Sequence, residues 1–199
     1  AEKALKIADA MVKRDPANLT ALNFLGSLKG ASGDKAGARV AYAQVLAKDP
    51  AFAPSVLNLS RLDVSEKRFD DARRRLDGLL KKDSNDSQVL FEYGLLEQRA
   101  ERPADAIRYL AKAGNVQRVD PNPTLALIDL YLNQHQGELA LTAAKELAGK
   151  FAINLKVQLA LARTYLANGA TSDARAVLTG ATRLAEFDPK SQVAIARMQ

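Results

Sequence analysis

The stretch GDKAGARVAYAQVL, at residues 33–46, decides the fold because the rest of the chain repeats its pattern. Alanine stands at every 34th position counted through this stretch, and the column consists of Ala4, Ala38, Ala72, Ala106, Ala140 and Ala174. A fixed period between about 20 and 50 residues indicates an array of structural repeats, and a period of about 34 is typical of a helix–turn–helix unit. The sequence therefore predicts an all-α solenoid.

Further columns at the same step describe how the helices pack. Large apolar residues form one column, at Leu25, Leu59, Tyr93, Leu127, Leu161 and Ile195. The residue that follows each of them is small in Gly26, Ser60, Gly94, Ala162 and Ala196, with Ile128 the exception. A small residue beside a large one lets two helices approach closely while the large side chain fills the groove between them.

The first complete repeat carries the residues of a known family. Leu22, Leu25, Gly26, Ala38, Tyr42 and Pro50 match the pattern of the tetratricopeptide-repeat family, which the chain resembles over its whole length. Later repeats depart from the pattern, and only Tyr131 and Tyr165 fill the tyrosine column. The resemblance implies antiparallel helix pairs stacked into a right-handed superhelix.

Turn and proline signals divide the chain into repeats. Residues 1–18 hold the second helix of an incomplete repeat, and 189–199 hold the first helix of another. Five complete repeats lie between them, at 19–52, 53–86, 87–120, 121–154 and 155–188. We expect a single solenoid segment cut from a longer array. In the third repeat, Ala113-Gly114-Asn115 is expected to end the second helix early and leave 115–122 as a longer connection.

Composition excludes several classes of function. The chain of 199 residues has no cysteine, which excludes disulfides, thiol catalysis and zinc–thiolate sites. No apolar run approaches the ~18 residues that span a bilayer, so no membrane insertion of this segment is predicted. The net charge of +6 mildly favours acidic partners, although an ordinary basic surface also accounts for it.

Neither nucleic-acid binding nor catalysis is predicted. The densest basic run, Arg73-Arg74-Arg75, spreads over about 200° of a helix and lacks the interleaved aromatic residues that stack on bases. It is therefore interpreted as a solvated outer face. The one histidine, His135, falls in a column of predicted turn residues, where a solvated side chain is expected. The other members of this turn column are Gly33, Lys67, Glu101 and Gly169. Metal-ligand spacings and phosphate-binding loops are absent from the sequence, so we predict no enzyme, no cofactor and no metal.

The resemblance places binding on the first helix of each repeat, because these helices line the concave side in the family. The stripe beside the packing face gives the candidate ligand-binding residues Asn23, Ser27, Asn58, Arg61, Phe91, Leu95, Gln98, Asp129, Asn133, Arg163 and Arg197. Asparagine and glutamine both donate and accept hydrogen bonds, which suits a peptide backbone. The family's carboxylate-gripping set of lysines and asparagines is not reproduced.

These residues predict a non-catalytic scaffold that binds a peptide or protein segment in the concave groove. The alternative is an envelope protein that grips an acidic polysaccharide through its groove arginines. It also remains open whether the stripe is merely exposed polar surface. Leu5 and Met11 near one end, and Val193 and Ile195 near the other, are expected to expose apolar surface, which predicts end-to-end self-association or fraying of 189–199.

A narrower resemblance concerns location. The stretch LALARTYLANG at residues 159–169, followed by Ala174 and Leu178, is similar to very long bacterial tetratricopeptide proteins. Among these it resembles the periplasmic lipoprotein associated with PEP-CTERM/exosortase sorting and exopolysaccharide export. The resemblance implies a periplasmic or envelope location, whereas without it a cytoplasmic location is expected.

Overall fold

The computed structural model describes residues 2–116, 119–186 and 188–198, and within these ranges it contains twelve α-helices and no strand. The prediction of an all-α fold is confirmed. The helices are α1 (Glu2–Arg14), α2 (Leu19–Ala31), α3 (Lys35–Lys48), α4 (Ala53–Ser65), α5 (Phe69–Leu80), α6 (Ser87–Arg99), α7 (Pro103–Val116), α8 (Asn122–Asn133), α9 (Gly137–Lys150), α10 (Leu155–Ala167), α11 (Thr171–Leu184) and α12 (Pro189–Met198). Every even-numbered helix from α2 to α12 begins 34 residues after the previous one, except that α8 begins one residue late.

Helix contacts divide the chain into an N-terminal unit, Ala1–Glu101, and a C-terminal unit, Arg102–Gln199. In the N-terminal unit each helix packs against the next, and α4 also packs against α2 and α6. The first helices of successive repeats therefore form one layer there. In the C-terminal unit consecutive helices pack in the same way, and α8 contacts α10. The assignment of residues 1–199 to one continuous solenoid, with the repeat boundaries given above, stays a prediction.

The alanine column is a packing column. Its members on α3, α5, α7, α9 and α11 are at most 1% exposed. The small residue on the first helix of the repeat also serves close packing, because a Cβ atom on Gly26 would lie 2.6 Å from Cε1 of Tyr42. Real Cβ contacts are not this short, so only glycine lets the Tyr42 ring lie against α2.

The turn column ends each first helix in a left-handed residue. Its members are Gly33, Lys67, Glu101, His135 and Gly169, with φ between 57° and 91°. At four of these turns the N–H of the next residue bonds to a carbonyl five residues back, for example from Arg68 to Asp63 at 2.8 Å and from Gln136 to Tyr131 at 2.9 Å. This bond belongs to the Schellman motif, which satisfies the free carbonyls of a helix end.

The predicted early end of the second helix in the third repeat is wrong. Helix α7 continues through Gly114 and Asn115 to Val116. A Cβ on Gly114 would lie 2.6 Å from Oγ1 of Thr124 on α8, so this glycine permits close packing of α7 and α8. Residues 117–118, within the predicted connection, lie outside the described residues.

Candidate functional site

A chain of polar side chains connects the first helices of the N-terminal unit. Oδ1 of Asn23 accepts hydrogen bonds from Oγ of Ser55 at 2.9 Å and from Nδ2 of Asn58 at 3.1 Å. Nδ2 of Asn58 also donates to Oγ of Ser27 at 3.3 Å. We refer to these four residues as the polar ladder. They come from α2 and α4 and are buried or half-buried, so their mutual bonds hold them in one arrangement.

Arg61 extends the ladder from α4 to α6. Its guanidinium group donates to Oδ1 of Asn58 at 3.0 Å and to Oε1 of Glu92 at 2.5 Å. The hydrogen bond to Glu92 raises the pKa of Arg61 above its ordinary value, against the opposing effect of burial. Half of the Arg61 side chain is exposed, whereas that of Glu92 is 10% exposed. The structure thus holds one cation at a fixed point on the surface of the unit.

A cleft of about 500 Å³ opens beside Arg61 among α4, α5 and α6. We refer to it as the main cleft; its lining residues lie between Ser60 and Arg99. The fully buried side chains of Leu76 and Leu96 contribute to its apolar floor. Lys67 and Arg99 add two exposed cations to its lining. Its volume lies in the range of about 300–1,000 Å³ that is usual for ligand sites.

The main cleft brings together three of the residues predicted from the sequence, namely Arg61, Leu95 and Gln98. Arg61 also lines a second, smaller depression of about 280 Å³, together with Asn58. Phe91 is half-buried on α6 and lines neither opening. The binding role of all these residues stays a prediction.

In the C-terminal unit the predicted residues are more scattered. Arg163 on α10 forms an ion pair and a hydrogen bond with Asp129 on α8, and about half of each side chain is exposed. An exposed pair of this kind contributes at most about 1 kcal/mol to stability. Asn133 is exposed at the end of α8, and Arg197 is exposed on α12 without an ion pair to any described residue. None of the four lines the small cleft of about 120 Å³ in this unit.

Two buried acids in the tyrosine column were missed by the sequence reasoning. The first is Asp63, whose side chain is 1% exposed. Three guanidinium groups surround it, at 2.8 Å from Arg39, 3.0 Å from Arg68 and 2.8 Å from Arg75. Oδ2 of Asp63 accepts a hydrogen bond from Nε of Arg75. Oδ1 has no well-oriented hydrogen bond, so Arg39 and Arg68 hold it mainly by charge attraction.

The second buried acid is Glu97, which pairs with Arg73. Nε of Arg73 donates to Oε1 of Glu97 at 2.7 Å, and a terminal nitrogen donates to Oε2 at 2.8 Å. These bonds are the main cause that raises the pKa of Arg73. The interpretation of the arginine run as a solvated face is therefore wrong for Arg73 and Arg75, and only Arg74 is largely exposed. The rotation of about 100° per residue aims the first arginine at α6 and the third at α4.

The spacing of these arginine–acid pairs is a signal in the sequence from which they could have been predicted. Arg39 and Arg73 are 34 residues apart, and each precedes its acidic partner by 24 residues. Leu141 of the fourth repeat and Tyr165 of the fifth stand at corresponding positions, also 24 residues apart, and both pack against one hydrophobic cluster. One pair of columns therefore accommodates either an ion pair or an apolar contact.

Evidence for a reactive site is absent from the described part of the chain. His135 is exposed in its turn. Residues 2–116, 119–186 and 188–198 contain no group of three or more acidic or histidine side chains able to hold a metal ion. Among the helices of the same ranges, none is long and apolar enough to cross a membrane. The predictions of no catalysis, no cofactor and no nucleic-acid partner stay predictions.

Comparison with known proteins gives consistent results. Two sequence models described as tetratricopeptide repeat match the chain, one at residues 30–90 and the other at 125–189. A search of curated proteins found no match.

Several solved structures share the fold. Yeast Tom70 has a TM-score of 0.84 and 14% identity, and the match covers 100% of this chain and 42% of Tom70. PilF from Pseudomonas aeruginosa has a TM-score of 0.70 and 21% identity, with 98% and 89% of the two chains covered. YrrB, described as a tetratricopeptide-repeat protein with an unusual peptide-binding site, has a TM-score of 0.60 and 14% identity, with 96% and 98% covered.

Proposed function

Because the chain belongs to the tetratricopeptide-repeat family, we propose that it is a non-catalytic scaffold that binds an extended segment of a partner protein. The observation that carries the proposal is the main cleft, which is open, apolar at its floor and bordered by fixed polar groups. The peptide-binding site named in the description of YrrB supports the same class of ligand.

The geometry suggests how a peptide would be held. An apolar side chain of the partner would enter the main cleft and cover the half-buried Val64, Phe69 and Leu95, which removes apolar surface from water. The peptide backbone would run along the polar ladder, where Asn23 and Asn58 already have fixed positions. Fixed side chains lose little conformational entropy on binding, so their hydrogen bonds contribute more to affinity.

A blocking substitution tests this proposal. Peptides selected from a random library on the wild-type protein would be measured by fluorescence anisotropy against Leu95→Trp, which fills the main cleft. We expect Leu95→Trp to weaken binding at least about tenfold, a loss of ~1.4 kcal/mol. The control is Leu139→Trp, because Leu139 is 51% exposed and lies on α9 in the other unit. Equal affinities of the wild type and Leu95→Trp, or a library that yields no binder, would refute the proposal.

Binding of an acidic polysaccharide is the second candidate, and the net charge of +6 favours it. The ion pairs of Arg61 with Glu92 and of Arg163 with Asp129 weaken the case, since both arginines are partly neutralised. The salt dependence of binding distinguishes the polysaccharide from the peptide. A polyanion should be released as the ionic strength rises from about 0.1 M to about 1 M, whereas an apolar contact should persist. Titration with alginate at both salt concentrations makes this comparison.

For the location, we propose the bacterial envelope, on the resemblance of residues 159–169 to the PEP-CTERM/exosortase-associated lipoprotein. In that setting the scaffold would serve protein sorting or exopolysaccharide export. Fractionation of cells that express the protein from its own gene tests this proposal. Recovery with the cytoplasmic fraction alone would contradict it.

A further inference from the structure

We propose that the main cleft selects an internal peptide segment in which a large apolar residue is flanked by aspartate or glutamate. In this proposal Lys67 and Arg99 form ion pairs with the acidic residues of the peptide. This inference rests on the proposed peptide-binding function and adds the chemistry of the ligand. It assigns a specificity role to two residues that were not among the candidates predicted from the sequence.

The charges in the lining of the main cleft support an anionic ligand. Four charged residues line it, and three of them are cations: Arg61, Lys67 and Arg99. The one acid, Glu92, is already bound to Arg61. Two positive charges therefore border an apolar floor without compensation inside the cleft.

Lys67 and Arg99 differ from the arginines between Arg39 and Arg75 in forming no ion pair with another described residue. The arginines between Arg39 and Arg75 all form ion pairs, and these are Arg39, Arg61, Arg68, Arg73, Arg74 and Arg75. Among the described residues, neither Lys67 nor Arg99 forms an ion pair or a side-chain hydrogen bond. Their donors remain available, and Arg99 can hold a carboxylate with two parallel bonds.

The backbone fixes the positions from which the side chains of Lys67 and Arg99 extend. Lys67 occupies the left-handed position of the α4–α5 turn at φ 60°, and its N–H bonds to the carbonyl of Val64 at 3.0 Å. Arg99 is the last residue of α6. Because Leu95 lies one helical turn before Arg99, the apolar and basic parts of the lining are adjacent on α6. An apolar residue in the cleft would thus have neighbours within reach of both cations.

Charge reversal tests the inference. Random peptide libraries would be selected in parallel on the wild type, on Lys67→Glu/Arg99→Glu and on Leu95→Trp, and the enriched peptides sequenced. We expect the wild type to select Leu, Phe or Met flanked by Asp or Glu, and the reversed variant to select the same apolar residues flanked by Lys or Arg. Anisotropy should show that the reversed variant binds wild-type-selected peptides at least about tenfold more weakly at about 0.1 M salt.

The outcomes separate the inference from the proposed function. If peptides bind the wild type but not Leu95→Trp, and acidic residues are not enriched, the inference is overturned and the scaffold function stands. The same conclusion follows if the reversed variant selects the same peptides as the wild type. If no peptide is enriched relative to Leu95→Trp, the proposed function fails and the inference fails with it. The matched control is Lys13→Glu/Arg14→Glu, which makes the same charge change on exposed residues of α1 and should keep wild-type selection.

Discussion

Substitution of Asp63 by asparagine should destabilise the N-terminal unit more than any substitution of a surface acid. The wild-type carboxylate is almost completely buried and is contacted by Arg39, Arg68 and Arg75. Glu66 contacts Arg39 and Arg68 as well, so the cluster carries three positive and two negative charges. Asp63→Asn preserves the shape and leaves an oxygen to accept the bond from Arg75. It also raises the net charge of the cluster from +1 to +2.

The expected loss of stability in Asp63→Asn follows from the burial of the Asp63 side chain. Removal of one partner from a buried ion pair costs about 3–5 kcal/mol. The three arginine side chains here are 28%, 41% and 34% exposed and can partly turn toward water, so we expect the low end, about 3 kcal/mol. The control Asp71→Asn breaks the exposed pair with Arg74 and should cost at most about 1 kcal/mol.

The assay is urea unfolding followed by circular dichroism, together with hydrogen exchange of α4 and α5. Hydrogen exchange is needed because repeats in an array can unfold separately and a single transition is not guaranteed. The Asp63→Asn variant should lose protection in both helices. If its free energy of unfolding stayed within about 1 kcal/mol of the wild type, the arginine cluster would not stabilise the unit and the reasoning would be refuted.

Three further predictions concern the remaining features of the chain. The double substitution Arg73→Leu/Glu97→Tyr copies the apolar residues Leu141 and Tyr165 and should leave stability unchanged or raise it, whereas Glu97→Tyr alone should lower the melting temperature. A double variant no more stable than the single one would contradict the equivalence of the columns. His135→Gly should raise the free energy of unfolding by about 1 kcal/mol, because glycine relieves the left-handed φ of 57°; urea unfolding would show a loss of stability if the histidine were needed there. The expected exposure of Ile195 is wrong, because its side chain is buried in a cluster with Leu178. Exposed Met11 and Val193 should still support self-association, seen as a sedimentation coefficient that rises with concentration and falls back in Met11→Lys/Val193→Lys. Concentration-independent sedimentation of the wild type would exclude it.

The sequence by itself determined the helix pairs, because each of their causes is local and repeats with the same period. Alanine at every 34th position indicated where helices touch, and the buried Ala106 and Ala140 agree with it. The turn column likewise followed from chain spacing, since a helix end needs a left-handed residue wherever the next helix must begin. The failure at Gly114 shows the limit of local reasoning, because there a packing contact with Thr124 overrides the low helix propensity of glycine.

Only the tertiary structure decided which charges are paired and which are free. From the sequence, the arginines of α5 are interpreted as solvated charges, and no partner is predicted for Asp63 or Glu97. Packing of α3, α4, α5 and α6 buries the two acids and brings to them arginines that are 5 to 24 residues away in the chain. The same packing leaves Lys67 and Arg99 beside an apolar cleft, where neither forms an ion pair with another described residue. A local pattern specifies the face on which a charge lies, but whether that charge is neutralised depends on the side chain that a neighbouring helix places opposite it.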